Sequence, residues 1–378
     1  MVTGIICEYN PLHLGHKKQI DRIRAKDPDG FIVCLMSGNY VQRGFPAIVD
    51  KSIRAKAAVL AGADLVLELP ITAALSSAEG FAAEGVRILS QFCTHLCFGA
   101  ETADANSPMD TAKALLRSDF PEYLQAELEK GLSFPAARAA ALEKMGNCAV
   151  NKPNDILAVE YCKAILNQQS SLIPVPVQRG GDYHEETADN ENPSATAVRK
   201  LMLHSGMWLD YVPESVRDCF RDAGLHTLEA GERAVLAKLR TMTDGDFEAI
   251  PFGSEGLWRK LMHNARRFAN LEDVITATKS KRYTRTRLDR MVMCAFLGIT
   301  KATLSSPAPY VRLLAFNDRG RSLLRQKKEV FPVVNAGERV DHPYWELEKR
   351  AGDLYGLFAL DAPEPPCKEE NSRVVYVR

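Results

Sequence analysis

Residues 4–16 read Gly4-Ile5-Ile6-Cys7-Glu8-Tyr9-Asn10-Pro11-Leu12-His13-Leu14-Gly15-His16. The short apolar run Gly4 to Cys7 has the character of a buried strand, Glu8 to Pro11 reads as a loop, and helical spacing follows from about Leu14 to Lys26. The His-x-Gly-His at 13–16 thus falls where a strand gives way to a helix. A helix start offers unpaired backbone N–H groups and a positive partial charge, which suits polyphosphate. Gly15 lets a nucleotide approach the backbone closely. Two imidazoles three positions apart can donate to phosphate oxygens and stabilise charge developing at an α-phosphorus. The competing reading is a pair of surface or zinc-binding histidines. The position after the first strand of an alternating pattern favours the phosphate site.

The alternation continues outward. Phe31 to Met36 is a continuous apolar run closed by Ser37-Gly38-Asn39, and Asp50 caps a helix carrying Ile53, Ala57 and Leu60 that Gly62 stops. Leu65 to Leu69 forms a third strand, a helix is expected over roughly Ala73 to Gln91, and Leu96-Cys97-Phe98 is a fourth strand ending at Gly99. Fully apolar strands separated by helices imply an α/β fold with a parallel sheet covered on both faces. Ligands of such sheets bind beyond the carboxyl ends of the strands. Residues 105–170 read as a helical insertion, Leu172 to Val177 resumes the strand pattern, and a helix begins after Asn192-Pro193-Ser194. The expected division is a catalytic domain over 1–205 and a mainly helical, more basic region over 206–378.

The 378 residues carry 48 lysines and arginines against 48 aspartates and glutamates, so any nucleic-acid contact must come from a local patch. No run approaches the roughly 18 apolar residues of a membrane span, and the N-terminus lacks a signal-peptide pattern; a cytoplasmic protein without membrane attachment is expected. Nine cysteines, odd in number and mostly in apolar runs, read as reduced thiols, with Cys93 and Cys97 as packing residues and no metal site.

Two further segments carry chemistry. Ser194-Ala195-Thr196-Ala197-Val198-Arg199 places hydroxyls at a helix start and an arginine one turn in, a second phosphate clamp beside the plain alternative of N-capping by Ser194. The loop through Gln42 and Arg43 follows strand two, and Arg43, Lys51 and Arg54 are candidates to hold a small carboxylate or leaving pyrophosphate, with an exposed helix face as the alternative for the last two. Lys279 to Arg290 holds six basic residues and one acidic. Cations at a helix N-terminus oppose its dipole, so an anionic partner is expected, with Lys281, Arg282, Arg285 and Arg287 on an RNA backbone and Tyr283 stacking on a base. Arg266, Arg267, Arg319, Arg321, Lys327 and Lys328 are candidates to extend that patch.

His-x-Gly-His plus the Ser/Thr segment ending in Arg199 resembles the HIGH-motif nucleotidyltransferase superfamily, with its Rossmann-like domain. The longer strings EYNPLHLGH, MSGNYVQRGFPAIVDKSIRAKAAVLAGADLVLELP, FGAE, PNDILAVEY and KRYTRTRLDR together resemble the bacterial tRNA(Met) cytidine acetate ligase family. The resemblance implies an enzyme that uses magnesium-ATP and acetate to acetylate the wobble cytidine of elongator tRNA(Met). It implies that Cys7, Glu8, Tyr9, Asn10, Pro11, Leu12, His13, Leu14, Gly15, His16, Lys17, Lys18, Gln19 and Ile20 line the ATP site, with Gly99, Asn154 and Arg179 as further contacts. His13, His16 and Arg199 are the expected catalytic residues, with Ser194 and Thr196 on the nucleotide. One departure is Phe45, where the family pattern QRG-x-PA leads us to expect an acid. The rivals are a small-molecule adenylyl- or cytidylyltransferase, which would not need the C-terminal half, and a non-catalytic RNA-binding protein.

Overall fold

The computed structural model describes residues 1–100, 106–132, 134–146, 153–178, 193–204, 206–280, 282–327 and 331–378. Strands are β1 (Val2–Cys7), β2 (Phe31–Ser37), β3 (Tyr40–Val41), β4 (Phe45–Pro46), β5 (Leu65–Leu69), β6 (His95–Ala100), β7 (Ile173–Gln178), β8 (Val311–Phe316), β9 (Val333–Asn335) and β10 (Val375–Tyr376). The main sheet runs β10-β8-β5-β2-β1-β6-β7, with β9 also on β8. From β5 to β7 every pairing is parallel; β8 joins β5 antiparallel. The chain builds outward from β1 to β2 and β5, then crosses to β6 and β7. β1 therefore lies at the topological switch point, where an open α/β sheet leaves a crevice at its carboxyl edge.

Side chains alternate across the sheet, so each strand feeds two cores. Val33, Leu35 and Leu67 pack with Phe81, Val86 and Leu89 of the helix Ala78–Phe92 on one face. Ile5, Cys34, Met36 and Val66 pack with Ile20, Ala58 and Val198 from three helices on the other. This double burial is why the strands read as continuous apolar runs. Cys93 and Cys97 are buried free thiols within these layers.

The insertion is helical over Asn106–Leu115, Phe120–Leu128, Phe134–Lys144 and Pro153–Asn167 among its described residues. The helix expected over 73–91 is broken. A short turn of helix, Ile71–Ala74, is followed by Ser76, whose hydroxyl donates to Ala73 O at 2.8 Å, and Ser77 caps the next helix by accepting from Gly80 N at 3.3 Å. Adjacent serines compete for backbone groups and so favour a boundary over a helix interior.

Residues 206–378 are mostly helical, yet they return β8, β9 and β10 to the sheet of the first half. A third core, including Leu239, Leu261, Val274, Met291, Phe296 and Tyr355, also takes in Tyr40 and Leu75 from the first half. Tyr40 Oη donates to Ala351 O at 3.0 Å and Tyr355 Oη to Ala47 O at 2.8 Å, so the β3–β4 hairpin is fastened to the C-terminal helices.

Candidate active site

A cavity of about 240 Å³ opens at the carboxyl edge of β1, β6 and β7. β1 ends at Cys7, and Tyr9 turns the chain with a φ of 44°, an uncommon value for a bulky residue. His13 is then the N-cap of the helix Leu14–Lys26. Its Nδ1 accepts from Gly15 N at 3.1 Å, and its own backbone N–H reaches His16 Nδ1 at 3.3 Å. Two imidazoles thus close a reciprocal capping box of the kind usually made by a hydroxyl and a carboxylate. In each neutral ring the accepting Nδ1 leaves the proton on Nε2, so Nε2 is the donor. The rings stack with centroids 3.8 Å apart, and both line the cavity.

Helical spacing sets the rest of this wall. Gly15, Lys18, Gln19 and Arg22 recur at one, four, five and eight along one face and line the cavity, while Ile20 and Ile23 face the core. Of the stretch Cys7 to Ile20, the cavity is lined by Cys7, Glu8, Tyr9, Asn10, His13, Gly15, His16, Lys18 and Gln19. Pro11, Leu12, Leu14, Lys17 and Ile20 do not line it: Leu12 and Ile20 are core residues, and Lys17 pairs with Asp21 in solvent.

Ser194, Thr196 and Arg199 face the same space. Ser194 Oγ accepts from Ala197 N at 3.0 Å, so the hydroxyl caps its helix and lines the cavity at once. Arg199 donates to Asn10 O at 2.7 Å and Thr196 Oγ1 at 3.1 Å, and its guanidinium lies 5.6 Å from the centre of the Phe45 ring. One side chain thereby ties the His-x-Gly-His loop, the Ser/Thr segment and the β3–β4 hairpin together. Phe45, standing where an acid was expected, gives that arginine an aromatic face.

Gln42 and Arg43 line the cavity from the tip of the hairpin. Gly44, at φ 85°, lies against the helix Arg285–Leu297 so closely that a Cβ would sit 2.3 Å from Arg290 N. Only glycine fits there, for both conformation and space. Arg290 donates to Gln42 O at 3.4 Å, so the C-terminal half positions an active-site loop.

Lys51 and Arg54 are corrected by the structure: neither lines the cavity and neither is exposed. Arg54 is fully buried and donates to the carbonyls of Val49 (2.8 Å), Glu8 (2.6 Å), Ser37 (3.1 Å) and Gly38, clamping the ends of β1 and β2. Lys51 Nζ meets Glu68 at 2.8 Å and Glu369 at 2.6 Å. Arg312 completes that cluster, bonded to Glu348 at 2.8 Å and 3.4 Å from Glu369. Neither was legible in the sequence: the Lys51 partners lie as far as position 369, and the Arg54 partners are backbone carbonyls that only the folded strand ends bring together.

Gly99 and Asn154 line the cavity on its β6 side, beside Phe81, Phe98, Leu157 and Tyr161. These apolar walls, and Arg22, were not singled out in the sequence. Phe81, Leu157 and Tyr161 lie in helices and Phe98 in β6, and only their place above the strand ends marks them. Arg179 lies outside the described residues. Burial raises the Glu8 carboxyl above its usual 4.5, opposed by the bond from Gln42 N (2.7 Å) and by the charges of Arg199, Arg43 and Arg54.

The basic segment is largely answered from within the chain. Arg285 bonds Glu272 at 2.7 Å and Asp289 at 2.8 Å, Arg282 and Tyr283 both reach Glu255 at 2.8 Å, and Arg287 donates to Phe252 O at 2.8 Å. The anions expected to offset the helix dipole are thus the chain's own acids. Lys281 and Lys328 lie outside the described residues. Arg319 pairs with Asp64 and donates to Gly30 O, at the amino edge of the sheet, so it does not extend the patch. The fuller group of exposed cations lies on the helix Leu257–Ala265 and its end: Arg259, Lys260 and Arg267, with Arg259 stacked 4.9 Å over Trp258.

A parallel sheet with stacked histidines at the first helix start and arginines converging on the cleft defines a nucleotidyltransferase class of site. Residues 1–370 match the family described as HIGH Nucleotidyl Transferase, and the chain belongs to that family. It is 38% identical over 383 residues to the tRNA(Met) cytidine acetate ligase of Clostridium perfringens, covering 94% of this chain and 95% of that protein. It is 35% identical to the protein of the same name from Acetivibrio thermocellus, covering 94% of each. The crystal structure of apo Thermotoga maritima TmcAL superposes with a TM-score of 0.91 at 29% identity, covering 100% of this chain and 99% of that one. The same protein bound with alpha-thio ATP gives 0.88. Among the described residues no helix is long and apolar enough to cross a membrane.

Proposed function

We propose that the chain is an ATP-dependent tRNA(Met) cytidine acetate ligase. It activates acetate as acetyl-adenylate and passes the acetyl group to the N4 amine of the wobble cytidine in elongator tRNA(Met), releasing AMP and pyrophosphate. The observation that carries this reading is the convergence of His13, His16, Arg43 and Arg199 on one cavity at the switch point of the sheet, in a chain matched almost end to end by ligases of that name.

In the first step an acetate oxygen attacks the α-phosphorus and pyrophosphate leaves. The Nε2 donors of His13 and His16 and the Arg199 guanidinium stabilise the charge gathering on the phosphoryl oxygens. Gln42 and Arg43, at the tip of the hairpin, hold the acetate carboxylate or the departing pyrophosphate. Gly99 and Asn154 serve the nucleoside, together with Arg179, the residue that follows β7 in the chain. Glu8 is the one carboxylate among the described residues of the lining, too few for a protein-held magnesium ion. The ion fits as cargo of the triphosphate, whose oxygens and waters supply its ligands and whose charge it offsets. No covalent enzyme intermediate is needed. An anticodon-loop base is already accessible, which lowers the cost of bringing it to the cavity.

The RNA is held by Arg282, Tyr283, Arg285 and Arg287 together with Lys281, and the exposed cations of Leu257–Ala265 widen that face. What supports this placement is the packing of Arg290 and Gly44 between the basic segment and the cavity. A tRNA substrate puts the protein in the cytoplasm.

The test is nucleoside mass spectrometry of unmodified elongator tRNA(Met) incubated with protein, magnesium-ATP and labelled acetate. Labelled acetylcytidine that disappears in His16→Ala supports the ligase. No label, with ATP binding intact, sinks it in favour of a small-molecule transferase.

A further inference from the structure

Glu8 is out of place in a site built for anions. It follows the last residue of β1, at the floor of the cavity, where Lys18, Arg22, Arg43 and Arg199 supply four cations and it supplies the single carboxylate among the described lining residues. A negative charge there weakens the binding of ATP and acetate, so anion binding does not account for it. Its Oε1 is held by Gln42 N at 2.7 Å, which fixes the carboxyl plane; no other hydrogen bond from the described residues reaches the group. The anchoring amide belongs to the hairpin tip that the C-terminal half holds against the site.

The second half-reaction needs a group of this kind. The exocyclic amine of cytidine is a weak nucleophile, and it must lose a proton as it attacks the acetyl carbon. Resting on the ligase reading above, we propose that Glu8 is the catalytic residue that accepts the N4 proton during acetyl transfer. The nitrogen lone pair forms the C–N bond, the C–O bond to phosphate breaks with its electrons leaving on AMP, and the N4 proton passes to the Glu8 carboxylate and then to water. Burial, which lifts this carboxyl above its usual range, strengthens it as a base. The charged and titratable groups around it are Cys7 and Tyr9 beside it in the chain, His13, His16, Lys18 and Arg22 on the first helix and its cap, Arg43 on the hairpin, Arg54 and Arg199 on their helices, and Tyr161.

The experiment separates the two half-reactions of the full-length protein. Acetate-dependent ATP–pyrophosphate exchange reads the first, and single-turnover acetyl transfer to tRNA from preformed acetyl-adenylate reads the second. In Glu8→Gln, transfer falls at least ~100-fold further than exchange does, Glu8→Asp recovers part of it, and hydroxylamine, a nucleophile that needs no base, still captures the acetyl group. Wild-type transfer rises with pH through the Glu8 ionisation, and that limb is missing in Glu8→Gln. If exchange and transfer fall together, or transfer is undiminished, Glu8 is not the base. Absence of acetate-dependent exchange and of transfer in the wild type is a different result, and it overturns the ligase reading itself.

Discussion

Arg43 and Arg54 are the same side chain in one short stretch of sequence, and they have opposite surroundings. Arg43 stands at a hairpin tip on the wall of the cavity, while Arg54 is sealed beneath it with donors on four backbone carbonyls. Lys51, one helical turn before Arg54, is sealed as well, between Glu68 and Glu369. The difference teaches that a cation is available for a ligand only where the fold sets it on the wall of the cavity. A buried guanidinium survives because each of its three nitrogens meets a carbonyl oxygen. Those oxygens belong to Glu8, Ser37, Gly38 and Val49, so Arg54 serves the site by fixing the ends of the strands that frame it.

The contrast predicts effects of different kinds and sizes. Arg54→Met strands four buried carbonyls and costs about 4 kcal/mol or more, read from urea unfolding. Arg43→Ala in the same assay stays within about 0.5 kcal/mol while adenylation slows. Comparable unfolding curves for the two variants would break the distinction.

His16→Ala removes one donor from the transition state and lowers adenylate formation by about 10² to 10³, measured by pyrophosphate exchange. His13→Asn retains a capping side chain and gives a similar loss of exchange with little change in Tm. A large fall in Tm for His13→Asn would mean that the ring stack serves stability more than chemistry.

The sealed cluster also carries a pH signature. Burial, with the Glu369 and Glu348 charges and against Lys51, pushes Glu68 from its usual 4.5 up to about 7. The folded state therefore keeps a proton that the unfolded chain has already lost. Glu68's stabilising contribution is complete below pH 4.5 and is lost as pH rises through about 7. The difference in urea midpoint between pH 5 and pH 8 shrinks in Glu68→Gln. An unchanged difference places that proton elsewhere in the cluster.

The smallest effect belongs to the basic segment. Arg285 is 40% exposed and paired with Glu272, itself 65% exposed, so Arg285→Ala costs about 0.5 kcal/mol at most. The same variant tests the RNA face through the salt dependence of tRNA binding, which flattens if Arg285 meets a phosphate.

Much of the first half was legible. β1, β2, β5 and the helix from Leu14 announce themselves because double burial writes continuous apolar runs and helical spacing into the sequence. The His-x-Gly-His was readable because its meaning depends only on local order, a strand followed by a helix start. The Ser76–Ser77 break was not foreseen, since hydroxyls that compete with a helix look like ordinary polar positions within it. The basic segment misled in one respect: its composition showed the cations and not Glu255 and Glu272, which lie elsewhere in the chain and answer them.

The sequence by itself determined the parallel sheet and the phosphate-ready helix start, because both follow from patterning over a few neighbouring residues. Only the tertiary structure decided which cations remain available. It returned β8, β9 and β10 to the sheet, brought Glu369 to Lys51, and set Arg290 against the hairpin that carries Arg43. The physical reason is that a buried charge is governed by the groups within a few ångströms of it, and the chain that supplies those groups can be hundreds of residues away.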